Sequence, residues 1–320
     1  MSRIRAGVVG VGYLGRFHAQ KYAANPKAEL VGVVDSDPKR AAEVGRELGV
    51  RVFPNHLELL DRVEAVSVVT PAVSHHALAR EALKAGAHCL LEKPMTETLD
   101  QADELIALAA DRSLILQIGL LERFNPAVAA LFDLVGKPRY IETRRLTPFV
   151  GRGTDIDVIL ELMIHDLDII LSLVREDPAQ VRAVGAPLIS GKLDMANVYL
   201  EFPSGCVANM TASRVSSDPC RRIDILQEEG RLSVDCAGRT LTVHSRKRDR
   251  NAEEVLPGIF ATRQTFDPLP GQVSDPLGLE VDGFLDCITA ETAPLVDGRA
   301  GRRALALALR ISRRIVGGQA

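Results

Sequence analysis

The sequence lacks the features that mark several classes of protein. It has no tryptophan and only five cysteines in 320 residues, and the cysteines are odd in number with no Cys-x-x-Cys spacing. This argues against a disulfide framework and against a zinc site, so no bound metal is expected. No apolar run reaches the roughly 18 residues that a membrane helix needs. We therefore expect a protein of the reducing cytoplasm with no membrane partner.

Neither sign of charge is in large excess. The 39 Lys and Arg residues nearly balance the 42 Asp and Glu residues, for a formal net charge of -3 at pH 7, so no basic surface for nucleic acid is expected. Hydrophobic residues make up 46% of the chain and charged residues 25%, as in ordinary globular proteins. At this length two domains can each bury a core. We expect one domain for a cofactor and one for a small-molecule substrate.

The first part of the chain alternates short β-branched runs with helical patterns, which is typical of parallel βαβ units. This pattern predicts an α/β domain over residues 1–122, with a doubly wound parallel sheet of the Rossmann type. Its predicted strands are residues 4–10, 30–35, 65–70, 88–91 and 114–119. Its predicted helices are residues 15–24, 38–49, 74–85 and 99–111.

After Asn125-Pro126 the pattern changes, with one more helix, a strand and then a long apolar helix at residues 157–174. A series of alternating segments separated by turns follows. This predicts an α+β domain over residues 123–320, built on a mixed, largely antiparallel open sheet, with the C-terminal helix able to pack back on the first domain. The predicted strands are residues 139–146, 194–202, 206–213, 222–227, 231–235 and 240–245. Residues 257–276 are predicted as a Pro-rich loop, and residues 280–289 and 301–316 as helices.

A glycine-rich turn directly follows the first predicted strand. Gly10, Gly12 and Gly15 form Gly-x-Gly-x-x-Gly, with Tyr13 and Leu14 before the last glycine, at the start of a predicted helix. The first glycine permits the tight turn, the second lets the backbone approach a pyrophosphate, and the third allows close packing of strand and helix. The turn therefore predicts a dinucleotide site.

The second predicted strand ends at Asp35, about twenty residues after the turn. An acidic side chain at this place accepts hydrogen bonds from the adenosine ribose and repels a 2'-phosphate, which favours NAD over NADP. The alternative is that Asp35 is only a loop carboxylate. Because Asp37 before Pro38 already supplies the helix cap, capping does not explain Asp35. We predict NAD as the cofactor.

Lys93 follows another predicted strand at its carboxyl end, the edge of an open α/β sheet where ligands bind. A lysine there can hydrogen-bond a reacting hydroxyl and stabilise its alkoxide character as hydride leaves. The position of Lys93 in the sequence is equally compatible with an ordinary surface lysine that has no catalytic role.

The predicted helix over residues 157–174 carries a polar stripe on an otherwise apolar surface. At about 100° per residue, the stripe residues lie within about 40° of one direction; they are Asp157, Glu161, His165, Asp168 and Ser172. Buried polar groups without partners are costly, so a substrate cleft is one explanation, and a self-satisfied network that faces another subunit is the alternative. His165 is the side chain suited to take the hydroxyl proton during oxidation.

Together these features resemble the glucose-fructose oxidoreductase, inositol dehydrogenase and rhizopine catabolism (Gfo/Idh/MocA) family over nearly the whole chain. Besides the glycine-rich turn, the resemblance rests on Thr70-Pro71 with His75, on Glu92-Lys93-Pro94, and on His165 followed by Asp168. It implies an N-terminal Rossmann domain, a C-terminal open sheet often used for oligomerisation, and NAD(P)-linked oxidation of sugars or cyclitols.

The resemblance also implies roles for single residues. Lys93 is the catalytic lysine and His165 the base, and both hold the substrate together with Asp168. Glu161 stands where the family usually has aspartate, four residues before the histidine, and is a third catalytic candidate. The implied cofactor-binding residues, besides the turn and Asp35, are Thr70, Pro71, His75, Glu92 and Lys93.

Within the family, residues 118–126 and 161–170 most resemble the members that oxidise C3 of UDP-N-acetylglucosamine. Arg123 and Asn125 follow a predicted strand end in the first of these segments, and they are candidate substrate contacts. The alternatives are a helix-facing salt bridge for Arg123 and a helix cap before Pro126 for Asn125.

The expected function is therefore NAD-dependent oxidation of a sugar hydroxyl, at C3 of UDP-N-acetylglucosamine, by a homodimer or homotetramer. An aminotransferase that uses the 3-keto product is the expected pathway partner. An inositol or free-sugar dehydrogenase is the alternative within the family. A non-catalytic NAD-binding regulatory module is the alternative of another class, and it would need the glycines and Asp35 but neither Lys93 nor His165.

Overall fold

The computed structural model describes residues 3–151, 153–245, 262–266 and 275–317. The chain divides into two compact units, one made of Met1–Leu121 with Asp275–Leu305 and the other of Glu122–Ser274 with Ala306–Ala320. The sequence prediction ended the first domain at residue 122, whereas the structure adds Asp275–Leu305 to it. None of the helices in these ranges is long and apolar enough to cross a membrane.

A six-stranded parallel sheet forms the centre of the first unit. Its strands are β1 (Ile4–Val9), β2 (Ala28–Val34), β3 (Arg51–Val52), β4 (Ala65–Val68), β5 (His88–Glu92) and β6 (Leu116–Gly119). Their order is β3-β2-β1-β4-β5-β6, so the order reverses between β1 and β4. Ligands of such sheets bind outside the carboxyl ends of the strands at this point. The predicted doubly wound fold is confirmed.

The helices of the first unit begin at local sequence signals. They are α1 (Tyr13–Ala24), α2 (Pro38–Leu48), α3 (His56–Leu60), α4 (Ala72–Lys84) and α5 (Leu99–Asp111), with α8 (Pro276–Ala290) and the start of α9 (Gly298–Gly317) from later in the chain. Asp37 caps α2, and Thr98 forms a capping box with Gln101 at the start of α5. The sequence analysis missed β3 and α3, because two and five residues are too few to show a period.

Helix α8 explains why the first unit includes residues from the end of the chain. Val281, Phe284 and Leu285 are fully buried in a core that also contains Ala6 and Val8 of β1. The spacing of these three positions puts them on one helix face, and burying each stabilises the fold by roughly 1.5–3 kcal/mol. The sequence pattern predicts that this face is buried, but not which sheet covers it.

An eight-stranded sheet forms the centre of the second unit. Its strands are β7 (Pro138–Leu146), β8 (Gln180–Ala186), β9 (Met195–Glu201), β10 (Val207–Ser213), β11 (Cys220–Gln227), β12 (Gly230–Asp235), β13 (Thr240–Ser245) and β14 (Thr262–Phe266). Their order is β14-β13-β12-β11-β7-β10-β9-β8. Strands β7 and β10 are parallel, and the other neighbours are antiparallel. The predicted mixed, largely antiparallel sheet is confirmed.

Strand β14 corrects one sequence prediction. It lies inside residues 257–276, which the sequence analysis assigned to a loop, and it pairs with β13 along five residues. Its sequence, Thr-Arg-Gln-Thr-Phe, has one apolar residue, so no alternating pattern marks it as a strand. Residues 257–261 and 267–274 of the predicted loop lie outside the described residues.

The helices of the second unit are α6 (Pro126–Leu134), a π-helical turn (Ile159–Met163) that leads into α7 (Ile164–Val174), and the end of α9. The predicted helix over residues 157–174 is therefore present, but its first part is not α-helical. A π-helical turn closes its hydrogen bonds over five residues instead of four. The angular spacing assumed for the polar stripe consequently does not hold between Asp157 and His165.

Candidate active site

The turn between β1 and α1 has no room for side chains at two of its glycines. A Cβ on Gly10, where φ is +86°, would lie 2.3 Å from the Val69 carbonyl oxygen, and a Cβ on Gly15 would lie 1.8 Å from the Gly10 oxygen. Gly12 is the N-cap of α1, and no side chain of the described residues caps this helix. The first amides of α1 are thus suited to an anion such as a pyrophosphate. The chain here fits a dinucleotide.

Asp35 follows β2 at the same edge of the sheet, with only 5% of its side chain exposed. Its Oδ2 accepts a hydrogen bond from the Val11 amide at 2.7 Å, and its Oδ1 accepts one from the Asp37 amide at 2.8 Å. A carboxylate has about four acceptor positions, so ribose hydroxyls can still bind. Arg40 Nη1 lies 3.5 Å from Oδ1, and the sequence analysis missed this cation beside the expected ribose site.

His75 connects two loops at this edge. Its ring is 1% exposed, with Nε2 2.7 Å from the Thr70 carbonyl oxygen and Nδ1 2.8 Å from the Pro94 carbonyl oxygen. Burial lowers the pKa of His75, whereas the two carbonyl oxygens raise it. Pro71 is the N-cap of α4. His75 therefore ties the loop between β4 and α4 to the loop after β5.

Lys93 follows β5 and is half-buried. The carboxylate of Glu92 accepts a hydrogen bond from the Lys93 main-chain amide at 3.1 Å. It also occupies the space beside Gly119 at the end of β6, where a Cβ would lie 2.6 Å from Glu92 Oε1. The first unit thus brings the glycine-rich turn, Asp35, Thr70 and Lys93 to the carboxyl ends of four parallel strands.

The side chains of the polar stripe on residues 157–174 have different partners from one another. Asp157 accepts hydrogen bonds from the amides of Ile159 and Leu160, at 3.0 and 2.9 Å, and from the Ser312 hydroxyl at 2.7 Å. It therefore caps the helical segment. Glu161 lies in the π-helical turn. Its carboxyl group packs against Gly153, where an added Cβ would lie 2.8 Å from the Glu161 carboxyl carbon.

Arg123 makes the helix-facing salt bridge that the sequence left open. Its Nη1 lies 3.4 Å from both carboxylate oxygens of Asp168 and also donates to the Ser172 hydroxyl. Its guanidinium carbon lies 4.6 Å from the centre of the Phe132 ring. Burial raises the pKa of Asp168 to about 6, although Arg123 lowers it. For Asp168 and Ser172, the self-satisfied network is thus observed, within one unit.

Asn125 has the capping role that the sequence offered as its alternative. Its Oδ1 accepts from the Ala127 amide at 3.2 Å at the start of α6, and its Nδ2 donates to the Cys236 carbonyl oxygen at 2.9 Å. The side chain is 2% exposed. Its substrate role stays a prediction.

A buried charge cluster surrounds Arg145, and no motif or spacing in the sequence points to it. Arg145 Nη2 lies 2.6 Å from Asp166 Oδ1, and its Nη1 lies 2.8 Å from Glu122 Oε1. Asp166 is off the polar stripe, so helical spacing did not single it out. His165, the residue before it, is half-buried in the first turn of α7. Lys93 belongs to the first unit and His165 to the second.

Both parts of the chain match known domains. Residues 4–120 match the family described as an oxidoreductase family with an NAD-binding Rossmann fold, and residues 134–233 match the GFO/IDH/MocA C-terminal domain. The chain belongs to the Gfo/Idh/MocA family of oxidoreductases, as the motifs predicted. It is an NAD-dependent dehydrogenase, so the predicted enzyme class and cofactor are confirmed.

Similar proteins include dehydrogenases of sugar nucleotides and of inositols. The UDP-N-acetylglucosamine 3-dehydrogenase of Acidithiobacillus ferrooxidans is 46% identical over 312 residues, which cover 97% of each chain. Two solved structures of the enzyme of that name and organism superpose with TM-scores of 0.89 and 0.90, at 44% identity over 99% of both chains. The scyllo-inositol 2-dehydrogenase (NAD(+)) of Bacillus subtilis is 28% identical and covers 92% of this chain and 89% of its own.

Replacing Asp35 by serine should weaken the preference for NAD over NADP, because serine does not repel a 2'-phosphate and because one of the two carboxylates beside Arg40 is removed. We expect the ratio of kcat/KM for NAD to that for NADP to fall by about tenfold or more, which corresponds to ~1.4 kcal/mol. The control is Asp111→Ser, at the exposed end of α5, which should leave the ratio unchanged. Tight use of NADP by the wild type, with no change in Asp35→Ser, would show that this assignment is wrong.

Proposed function

We propose that this chain oxidises the C3 hydroxyl of UDP-N-acetylglucosamine to the 3-keto sugar nucleotide. The observation that carries the proposal is the 46% identity over 97% of both chains with the UDP-N-acetylglucosamine 3-dehydrogenase. The inositol dehydrogenase is more distant, at 28% identity. An inositol or free-sugar dehydrogenase of the same family is the second candidate.

The chemistry of this oxidation divides between the cofactor and the protein. Bound NAD would supply the acceptor for the hydride, held by the residues at the carboxyl edge of the parallel sheet. Lys93 donates a hydrogen bond to the reacting hydroxyl oxygen and stabilises its developing negative charge. His165 accepts the hydroxyl proton as general base. Glu161 takes the place of the family's aspartate, four residues before His165, and supplies a carboxylate from the same helical segment.

In this proposal the carboxyl edge of the parallel sheet holds the cofactor. The start of α1 binds the pyrophosphate through its amides, and Asp35 binds the adenosine ribose. His75 acts by fixing the two loops that it joins, and Glu92 acts by fixing the main chain at Lys93. The residues that we assign to the cofactor site are Gly10, Gly12, Tyr13, Leu14, Gly15, Asp35, Thr70, Pro71, His75, Glu92 and Lys93.

The substrate contacts assigned to the second unit depend on Arg123. Its Nη1 is bonded to Asp168 and Ser172, its Nε is buried, and the residue as a whole is 8% exposed. We assign the remaining exposed part of this guanidinium to the diphosphate or sugar of the substrate, since guanidinium donors suit phosphate oxygens. Asp168 contributes by orienting Arg123, and Asn125 by fixing the start of α6.

We further propose a cytoplasmic homodimer or homotetramer. The five cysteines are free thiols, which suits a reducing compartment. In β9, Ala196, Val198 and Leu200 are buried on one face of the sheet, whereas Asn197 and Tyr199 on the other face are only partly covered. This face is our candidate for the contact between subunits. The 3-keto product is a substrate for an aminotransferase, which we propose as the pathway partner without a stable complex.

Lys93→Met and His165→Asn should each lower kcat by about 100-fold or more, because each variant removes a group that handles the reacting hydroxyl. The KM for NAD should change little, since neither residue is assigned to the adenosine part. The measurements are steady-state kinetics and circular dichroism. Lys84→Met and His76→Asn, on the surface of α4, are the matched controls and should keep wild-type turnover. Near-normal kcat in either test variant would remove that residue from the mechanism.

The substrate assignment predicts a coupled reaction. Incubation with NAD, UDP-N-acetylglucosamine, glutamate and an aminotransferase of matching specificity should produce NADH and a 3-amino sugar nucleotide, seen by mass spectrometry. Parallel reactions with inositols and free hexoses serve as the comparison. If the sugar nucleotide gives neither NADH nor a mass change while inositol or a hexose reacts strongly, the protein belongs to another branch of the family.

A further inference from the structure

Three ionisable side chains meet in the interior of the first unit. His18 of α1 and Glu280 of α8 have no exposed surface, and Glu92 of β5 is 6% exposed. One nitrogen or oxygen atom from each lies within 4.8 Å of those from the other two. No periodic pattern in the sequence points to this cluster, because its members come from three distant elements.

Glu92 has polar partners on both of its carboxylate oxygens. His18 Nε2 lies 3.3 Å from Glu92 Oε1, and the Lys93 amide donates to Glu92 Oε2 at 3.1 Å. On its other side, His18 Nδ1 lies 3.2 Å from the Ser67 hydroxyl, which also bonds the Tyr22 hydroxyl at 2.9 Å. These contacts hold the Glu92 carboxyl group at the end of β5.

Glu280 has no comparable support. Neither of its carboxyl oxygens has a hydrogen-bond partner among the described residues, although Gln117 donates to its main-chain oxygen at 3.1 Å. An ionised Glu280 would be a buried charge beside a second carboxylate, and both desolvation and like-charge repulsion oppose that state. Burial raises the pKa of Glu280 well above its usual range, and the charge of Glu92 raises it further.

We propose that Glu280 is a neutral carboxylic acid that keeps the Glu92 carboxylate in place, and is thereby a positioning residue for the main chain at Lys93. The proton on Glu280 leaves one negative charge in the cluster instead of two. Glu92 then stays where the Lys93 amide binds it, instead of being repelled toward Lys93. The consequence for Lys93 rests on the proposed function, whereas the protonation of Glu280 does not.

The other titratable groups near the cluster do not compete for this proton. Burial raises the pKa of the Tyr22 hydroxyl above its normal value and that of the Cys89 thiol in β5 to about 12, so both groups stay neutral near pH 7. On α8 itself, Asp282 is paired with Lys27 at 2.9 Å. Neither Tyr22 nor Cys89 therefore adds a charge beside Glu280, and the charge of Asp282 is balanced by Lys27.

A bound cation is the other way to balance two buried carboxylates. Structural zinc sites almost always have four ligands, and zinc sites with three protein ligands keep an open position for water. The described residues supply three ligands here, and His18 and Glu280 have no exposed surface. The cluster therefore favours a proton over a metal ion, and the metal content of the purified protein is one outcome of the test.

Glu280→Gln is the decisive variant, because glutamine keeps the shape and an N–H donor but does not ionise. The infrared spectrum of the wild type near pH 7, without substrate, should contain the C=O band of a protonated carboxylic acid, and the Gln variant should lack it. A folded-state pKa that is raised gives stability that is full below the usual glutamate pKa and is lost as pH rises. The Tm of Glu280→Gln should therefore rise relative to the wild type between pH 5 and pH 9.

Turnover tests the positioning role. We expect Glu280→Gln to keep kcat within about threefold of the wild type near pH 7, with little change in the KM for NAD. The ratio of its kcat to that of the wild type should rise from pH 7 to pH 9, because glutamine stays neutral where Glu280 ionises and repels Glu92. Asp282→Asn, on the same helix, is the control and should alter neither kcat nor the infrared band. If Glu280→Gln lowers kcat about tenfold or more near pH 7, or if the ratio does not change with pH, the positioning role is wrong.

Two results would overturn the protonation itself. One is a wild-type infrared spectrum without the band that Glu280→Gln removes, and the other is a stoichiometric metal ion that is lost in Glu280→Gln. Neither measurement needs turnover, so both decide the protonation of Glu280 even if UDP-N-acetylglucosamine is not the substrate.

Discussion

Ionised side chains inside this protein need partners, and this requirement determines how each unit holds its functional residues. Breaking a buried ion pair by removing one partner costs about 3–5 kcal/mol. In the second unit, Arg145 lies between Asp166 and Glu122, and Arg123 lies against Asp168. These pairs fasten the segment before α6 to β7 and to α7. His165 is thus carried by a helix whose neighbouring polar residues are already fixed.

In the first unit, main-chain amides are the hydrogen-bond partners of carboxylates near the expected cofactor site. Asp35 accepts hydrogen bonds from Val11 and Asp37, and Glu92 accepts one from Lys93. Carboxylates at the carboxyl ends of β2 and β5 therefore brace the loops beside them. No side chain of the described residues caps the start of α1, and we propose that its amides bind the phosphates of NAD. In this proposal, one edge of the sheet holds an anionic cofactor and presents Lys93 to the substrate.

The sequence was sufficient where the determining interactions are local. The alternation of strand and helix, the cap at Asp37 and the glycine-rich turn predicted the Rossmann fold and its cofactor edge. The partners of polar residues on other elements were not predictable, because helical spacing gives the direction of a side chain but not what lies opposite. Asp157 is consequently a cap, and Asp168 pairs with Arg123. The π-helical turn and the buried Glu280 leave no periodic signal at all.

The most direct test of the account is the fate of the hydrogen on C3 of the substrate. The protein would be supplied with NAD and with UDP-N-acetylglucosamine that carries deuterium at C3. The deuterium content of the reduced cofactor would then be measured by mass spectrometry. The account predicts that the deuterium appears in the reduced cofactor, and that deuterium placed at C4 stays in the sugar. Transfer of deuterium from C4, or formation of reduced cofactor without any label from C3, would contradict it.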